Sequence, residues 1–256
     1  MQTGLYIVGT PIGNMGDMSA RAAAALAAAD VVLCEDTRVS AKIAPRAKLA
    51  VYADYNEREK THGIIEKIAA GAAVALITDS GMPGISDPGF RLVRAARDAG
   101  QPVFVVPGPT AFASALVLSG FPTDRFSFLG FFKNEAALRE DNRLRHTLIY
   151  YESPNRVAET LAAFARVMPE RRVAVVREIT KLHEETIIGY PADLAGRSFK
   201  GEIVLVVEPA PEIKMTDSEI AEVVGEVVGT TKDRAAEIAK RTGISRAAAY
   251  KMALKK

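Results

Sequence analysis

Four apolar runs divide the first 120 residues of this chain: Leu5-Tyr6-Ile7-Val8, Val31 to Glu35, Ala72 to Ile77 and Pro102 to Val106. Each is nearly continuous instead of alternating with polar residues, the pattern of a strand buried on both faces. Helical segments stand between them. One runs to about Ala29 behind a Ser19 or Asp17 cap, one from about Asn56 to Ala70 with Gly71 as its stop, and one from Phe90 to Gly100. A small-residue helix, Thr110 to Ser119, ends at Gly120. Strand and helix in alternation fold as a parallel sheet covered on both faces, so the fold class is α/β.

The second half is built differently. Phe126 to Phe128, Leu148 to Tyr151, Arg172 to Glu178, Glu185 to Tyr190 and Glu202 to Val207 read as strands, with helices at Glu135 to Arg145 and about Asn155 to Met168. Several of these strands follow one another directly, which predicts a mixed sheet with antiparallel pairs. Phe121 to Asp124 and Glu208 to Pro211 read as linkers. The expected organisation is an N-terminal α/β domain over 1–120, a second α/β domain over 121–209 and a small all-α domain over 213–256. In that last domain, a helix, a turn at Gly243, an N-cap at Ser245 and a second helix have the order of a helix-turn-helix unit.

Charge is concentrated in the tail. The whole chain carries only +2. Between Thr230 and Lys256, however, Lys232, Arg234, Lys240, Arg241, Arg246, Lys251, Lys255 and Lys256 face only Asp233 and Glu237, a local net of +6. Any nucleic-acid affinity is therefore local, not a property of a polycation. The single Cys34 excludes an internal disulfide and fits a reducing compartment, and its apolar surroundings suit a buried, inert thiol. No apolar stretch approaches about eighteen residues and no basic-then-apolar leader opens the chain, so a cytoplasmic protein without membrane attachment is expected.

Four loops stand where an open α/β sheet binds ligands, beyond the carboxyl ends of its strands. The longest, Thr78-Asp79-Ser80-Gly81-Met82-Pro83-Gly84-Ile85-Ser86-Asp87-Pro88-Gly89, is about twice the usual length of such connections. The others are Gly9-Thr10-Pro11-Ile12-Gly13-Asn14, Glu35-Asp36-Thr37-Arg38 and Pro107-Gly108-Pro109-Thr110-Ala111. The first of these departs from G-x-G-x-x-G, which disfavours a dinucleotide site. His62, His146 and His183 stand apart, so no metal cluster is expected, and neither a nucleophile elbow nor a phosphate-cradling lysine loop is present. A transferase using an organic donor, without a metal, is the chemical class that remains.

These four loops occur in order with Tyr151-Glu152-Ser153-Pro154-Asn155-Arg156 and Arg177-Glu178-Ile179-Thr180-Lys181. Together they resemble the bacterial 16S ribosomal RNA (cytidine-2′-O)-methyltransferases of the tetrapyrrole methylase superfamily, over roughly residues 4 to 208. The resemblance implies S-adenosyl-L-methionine as methyl donor, S-adenosyl-L-homocysteine as product, a cleft between two α/β domains and a homodimer. Its implied acceptor is the ribose 2′-hydroxyl of a decoding-centre cytidine in 16S rRNA, presented within the small ribosomal subunit. Matching motifs place the donor at Pro11, Asp79, Gly81, Met82, Thr110, Ala111, Glu152 and Ile179. RNA contacts are expected at Lys133, Arg156, Lys181 and Arg246. Asp36 is a candidate proton acceptor with Arg38 beside it, and Asp87, Glu152 and Glu178 compete for the role. Two other readings stay open: methylation of a tetrapyrrole on the same fold, and a non-catalytic nucleic-acid-binding regulator with an effector cleft.

Overall fold

The four apolar runs become strands of one parallel sheet, three of them central and buried, while Val103–Val106 lies at an edge with Val105 exposed. The computed structural model describes residues 1–211 and 216–254. Its first sheet contains β1 (Gly4–Val8), β2 (Val31–Cys34), β3 (Leu49–Val51), β4 (Ala73–Leu76) and β5 (Val103–Val106), in the order β3-β2-β4-β1-β5. All neighbouring pairs are parallel. Residues of alternating parity pack on opposite faces. Leu5, Leu33, Val74 and Leu76 meet Ile64 and Ile68 of α3 (Glu57–Ala69) and Leu92 and Ala96 of α4 (Phe90–Asp98). Val8, Val32 and Ala75 meet Ala22 and Leu26 of α1 (Ala20–Ala28) on the other face. Burial on both faces is what the continuous runs predict.

The sequence reading leaves one stretch of this lobe unassigned. Between Glu35 and Asn56 the chain forms α2 (Thr37–Ile43) and the edge strand β3. α2 mixes polar and apolar residues over seven positions and β3 is only three residues long, so neither presents a strong period. What starts α2 is a cap: Asp36 accepts the backbone N–H of Arg38.

The second sheet has the order β6-β7-β10-β8-β9, from β6 (Phe126–Phe131), β7 (Thr147–Glu152), β8 (Val173–Arg177), β9 (Glu185–Gly189) and β10 (Ile203–Val207). Only β6 and β7 pair in parallel; β7–β10, β10–β8 and β8–β9 are antiparallel. One face packs on α6 (Glu135–Asp141), α7 (Val157–Val167) and α8 (Pro191–Leu194), through Leu138, Leu161, Phe164 and Leu194. The other face receives α5 (Ala111–Ser119), whose Ala115 and Leu116 pack with Ile149, Ala174, Val204 and Val206. A boundary at residue 120 assigns α5 to the first sheet, yet its apolar side belongs to the second. Phe121 is buried in the same cluster while Pro122, Thr123 and Asp124 are exposed, so the connection is anchored at its first residue. The two sheets lie in one compact unit, Met1–Ala210.

Pro211–Lys256 is a second unit. It contains α9 (Asp217–Glu226), α10 (Thr231–Thr242) and α11 (Arg246–Leu254). Thr216 and Glu219 close a capping box at the start of α9. Gly243, at φ +75°, ends α10, and Ser245 Oγ accepts the Ala248 N–H at 3.2 Å to open α11. Val223, Val227, Ala235, Ile238, Ala249 and Ala253 form its core. Residues 213–215 of the expected tail domain, and the basic Lys255 and Lys256, lie outside the described residues. No helix among the described residues is long and apolar enough to cross a membrane.

Candidate active-site cleft

Three of the four loops meet because β1 lies between β4 and β5. Thr10, fully buried, donates its backbone N–H to the Gly81 carbonyl at 2.9 Å and its hydroxyl to the Thr78 carbonyl at 3.1 Å, tying the first loop to the long one. Gly108 N donates to Met82 Sδ at 3.3 Å, tying in the third. The approach leaves no room for a side chain at Gly9, where a Cβ would stand 2.5 Å from Gly108 N and 2.6 Å from Met82 Sδ. The far end of the long loop is anchored by buried Glu57, whose Oε1 accepts the Gly89 N–H at 3.1 Å and the Tyr52 hydroxyl at 3.2 Å.

Facing these loops, the second sheet contributes the opposite wall of a cavity of about 390 Å³. Ile12, Gly81, Met82, Ile85, Thr110 and Ala111 line it from one side, and Tyr151, Glu152, Ile179, Ile203 and Val204 from the other. Ile179 is carried by an unusual backbone. Its neighbours Glu178 and Thr180 both adopt left-handed conformations, at φ +51° and +68°, which non-glycine residues avoid. Side-chain bonds hold them there. Glu178 Oε1 accepts the Glu202 N–H at 3.0 Å and Lys181 Nζ at 2.9 Å, Lys181 Nζ also reaches Glu202 Oε2 at 3.0 Å, and the Thr180 N–H donates to Glu184 at 2.6 Å. Gly13 and Gly201 make way for this knot: a Cβ would lie 2.7 Å from the Lys181 side chain at the first and 2.3 Å from the Glu178 carboxylate at the second.

Acids gather at this end of the first sheet. Asp87 lines the cavity. Burial, reinforced by the charges of Glu35, Asp79 and Asp54, pushes its carboxyl up to about 6. Burial likewise raises Glu35 and Asp79, although Thr78 Oγ1 donates to Glu35 Oε1 at 2.9 Å. Asp79 Oδ1 is buried with no hydrogen-bond partner among the described residues.

Of the eight positions expected to hold a donor, Gly81, Met82, Thr110, Ala111, Glu152 and Ile179 line the cavity. Pro11 is buried behind it, and Asp79 lies outside its lining. The structure gives Asp36 a different job from the one expected. Its Oδ1 caps α2 by accepting the Arg38 N–H at 2.8 Å, and its Oδ2 takes Arg38 Nη2 at 2.6 Å. These bonds hold the carboxyl at about 2, a poor base, and neither residue lines the cavity. Two expected RNA contacts are also committed elsewhere: Arg156 Nη2 pairs with Glu152 at 2.8 Å, and Lys181 belongs to the knot above. Lys133 is exposed after β6, and Arg246 is exposed at the start of α11 in the other unit. No residue from Gly201 to Val204 was expected at a site, because continuous strand sequence does not reveal which end opens on a cavity. Among the described residues, no group of three or more His, Cys, Asp or Glu is placed to hold a metal ion.

Comparison with known proteins agrees with this geometry. The description "Tetrapyrrole (Corrin/Porphyrin) Methylases" matches residues 4–195. The ribosomal RNA small subunit methyltransferase I of Coprothermobacter proteolyticus is 41% identical over 217 residues, covering 81% of this chain and 99% of that one. Its namesake in Mesorhizobium japonicum is 38% identical over 271 residues, covering 99% of this chain, tail included, and 92% of its own length. Among solved structures, the uroporphyrin-III C-methyltransferase of Thermus thermophilus complexed with S-adenyl homocysteine superposes with a TM-score of 0.58, at 23% identity over 80% of this chain and 97% of that one, which is a likeness of fold. Two sheets of this topology closing on one cleft, and identity of this extent, place the chain in the tetrapyrrole methylase family, among the ribosomal RNA small subunit methyltransferases I.

Proposed function

We propose that this protein transfers a methyl group from S-adenosylmethionine to the ribose 2′-hydroxyl of a decoding-centre cytidine in 16S rRNA. The observation that carries the reading is the cleft: an apolar slot walled by both sheets, with Asp87 in its lining and close backbone approaches at Gly9 and Gly108 beside it. Such a slot fits an adenosyl group between Met82, Ile179 and Ile203, with Thr110 and Ala111 at the start of α5 near its polar edge. Asp87, which lines the cavity with Glu152 and Glu202, favours a cation in it. The small-subunit RNA target is taken from the names of the relatives.

When bound, the donor supplies an electrophilic methyl on a positive sulfur. The chain's part is to hold acceptor and methyl in line and to receive a proton. Asp87 is the acceptor we assign: it faces the cavity, and at about 6 it is ionised at neutral pH yet far more basic than Asp36. Val117 and Leu118 on α5 and Phe126 on β6 are exposed, and such apolar surface suits a second copy of the chain. We assign the work to a cytoplasmic homodimer acting on the small ribosomal subunit. Transfer of tritiated methyl to unmodified 30S subunits, with the label mapped to a cytidine ribose, tests the reading. Label in a tetrapyrrole but in no RNA overturns it, and so does failure to bind the donor.

A further inference from the structure

We infer that a second groove, beside the cleft on the mixed sheet, is a phosphate-binding track for the RNA segment flanking the target nucleotide. The groove encloses about 470 Å³ and is lined by Arg177, Glu185, Ile187, Arg197, Phe199 and Lys200. Three of these are cations and one is an acid. The acid is taken: Arg177 Nε donates to Glu185 Oε2 at 2.7 Å, while Arg177 Nη1 holds the Lys200 carbonyl at 3.3 Å. The side chains of Arg197 and Lys200, both exposed, have no hydrogen-bond or ion-pair partner among the described residues. The groove therefore offers two uncommitted cations on a frame that Arg177 fixes. Its floor is apolar, from Ile187 and the buried Phe199, as suits a sugar or base edge lying between phosphates.

Position identifies the ligand class. Lys200 is followed directly by Gly201, Glu202 and Ile203, which line the methyl-transfer cleft, and Arg177 is the register partner of Ile203 on β10. Successive Cα atoms are about 3.8 Å apart, so the chain passes from groove to cleft between Lys200 and Gly201, at one end of the second sheet. A free small anion has no need of this adjacency. A polymer whose ribose enters the cleft must lay its next phosphates close by, and the acids Glu35, Asp79 and Asp87 repel them from the first sheet's end. The inference rests on the RNA reading above.

The test is the charge-reversed pair Arg197→Glu with Lys200→Glu, with Arg197→Gln and Lys200→Gln as a milder pair should reversal impair folding. Three quantities are measured: donor affinity by calorimetry, KM for unmodified 30S subunits, and affinity for a fluorescent single-stranded RNA oligomer across a salt series. The expected outcome is unchanged donor affinity, KM raised at least tenfold, and an oligomer salt slope shallower by about 1.4, two single-strand phosphate contacts at about 0.7 each. Wild-type KM and slope in both pairs overturn the groove and leave the functional reading standing. A raised KM with unaltered oligomer binding assigns the groove to a ribosomal protein and overturns an RNA track. A wild-type chain that binds donor but labels no RNA overturns the function, and the groove with it.

Discussion

Glu152 gives the sharpest separation between a carboxylate that binds and one that builds. It lines the cleft, yet its side chain is fully buried, and both oxygens are occupied by the protein. Oε1 accepts the Ser153 N–H at 2.7 Å and Arg156 Nη2 at 2.8 Å, and Oε2 accepts the Thr160 hydroxyl at 2.6 Å. Together these close the turn from β7 into α7. In Glu152→Gln the amide oxygen can keep Ser153 and Arg156, and the Thr160 hydroxyl can rotate to accept from the new NH₂. Every bond survives, but the charge assistance is lost, about 1 kcal/mol for each of the two buried bonds. Arg156 is half exposed, so its share is well under 1 kcal/mol. The expected loss is about 2–3 kcal/mol. Glu152→Ala strands the Thr160 hydroxyl in the interior, at about 1–3 kcal/mol, and leaves the half-buried Ser153 N–H unpaired at a lower cost, in addition to the lost packing, so about 3–5 kcal/mol is expected. The assay is urea unfolding followed by near-ultraviolet circular dichroism. Six of the seven tyrosines lie in Met1–Ala210, so the signal reports the larger unit. Equal stabilities for the two variants, or a loss under about 0.5 kcal/mol in either, would refute the bonding argument. Glu152 would then be a ligand contact only.

The other predictions concern the acids at the first sheet's end, the loop junction and the guanidinium that braces the second sheet. Asp87→Asn should cut turnover at least a hundredfold with donor affinity within a few fold, and should erase a rate limb that rises through about pH 6 in the wild type. Because burial raises this carboxyl above its unfolded value, its ionisation opposes folding; the penalty is absent below about pH 4 and complete above about pH 7. Asp87→Asn should therefore stabilise the protein at pH 8 and leave it unchanged at pH 3.5, in paired thermal melts. Asp36→Asn should weaken the start of α2 and keep turnover within threefold, since the wild-type carboxyl stays ionised down to about 2; loss of all turnover restores Asp36 as the base. Gly9→Ala should cost about 1–3 kcal/mol and weaken donor binding together, because the new Cβ meets backbone at 2.5 Å, and calorimetry with and without donor measures both. Arg171 is fully buried and donates to the carbonyls of Glu208, Leu144 and His146 and to Asn142. Arg171→Lys cannot reproduce that fork and should lower the melting temperature nearly as far as Arg171→Met.

What could be read in advance follows from which forces leave a periodic trace. The strands of the first sheet are legible because burial on both faces demands unbroken apolar sequence, as in Val31–Cys34 and Ala73–Leu76. The long loop is legible because glycine and proline mark a backbone that ordinary residues resist, and Gly81 at φ +87° and Gly89 at φ +138° bear out that marking. The left-handed Glu178 and Thr180 are not legible, since their conformation is imposed by Lys181, Glu184 and Glu202 after folding. Nor is the allegiance of α5: Ala111–Ser119 is apolar on all sides, and such a helix does not declare which sheet it will cover. Asp36 is ambiguous for a related reason: a carboxylate after a strand suits a helix cap as well as a base, and the bond from the Arg38 N–H shows the cap.

Acids gather at one edge of the first sheet, while unpaired cations as well as acids lie beside the second, and that contrast constrains how a substrate can enter. Glu35, Asp36, Asp79 and Asp87 stand at the carboxyl end of the first sheet, whose strands all point the same way. Parallel strands deliver their following loops to one edge, so acids placed after β2 and β4 must collect there. The antiparallel second sheet sends its loops to both ends and can set cations such as Arg197 and Lys200 beside the same cavity. A positively charged donor is drawn to the first edge, and a phosphodiester is repelled from it. On the RNA reading proposed above, the acceptor strand approaches along the second sheet, with its sugar leading into the cleft. Raising the salt concentration should accordingly weaken RNA binding and donor binding alike, because each depends on its own sheet's charge, while Arg197→Gln with Lys200→Gln should blunt the first dependence and leave the second intact.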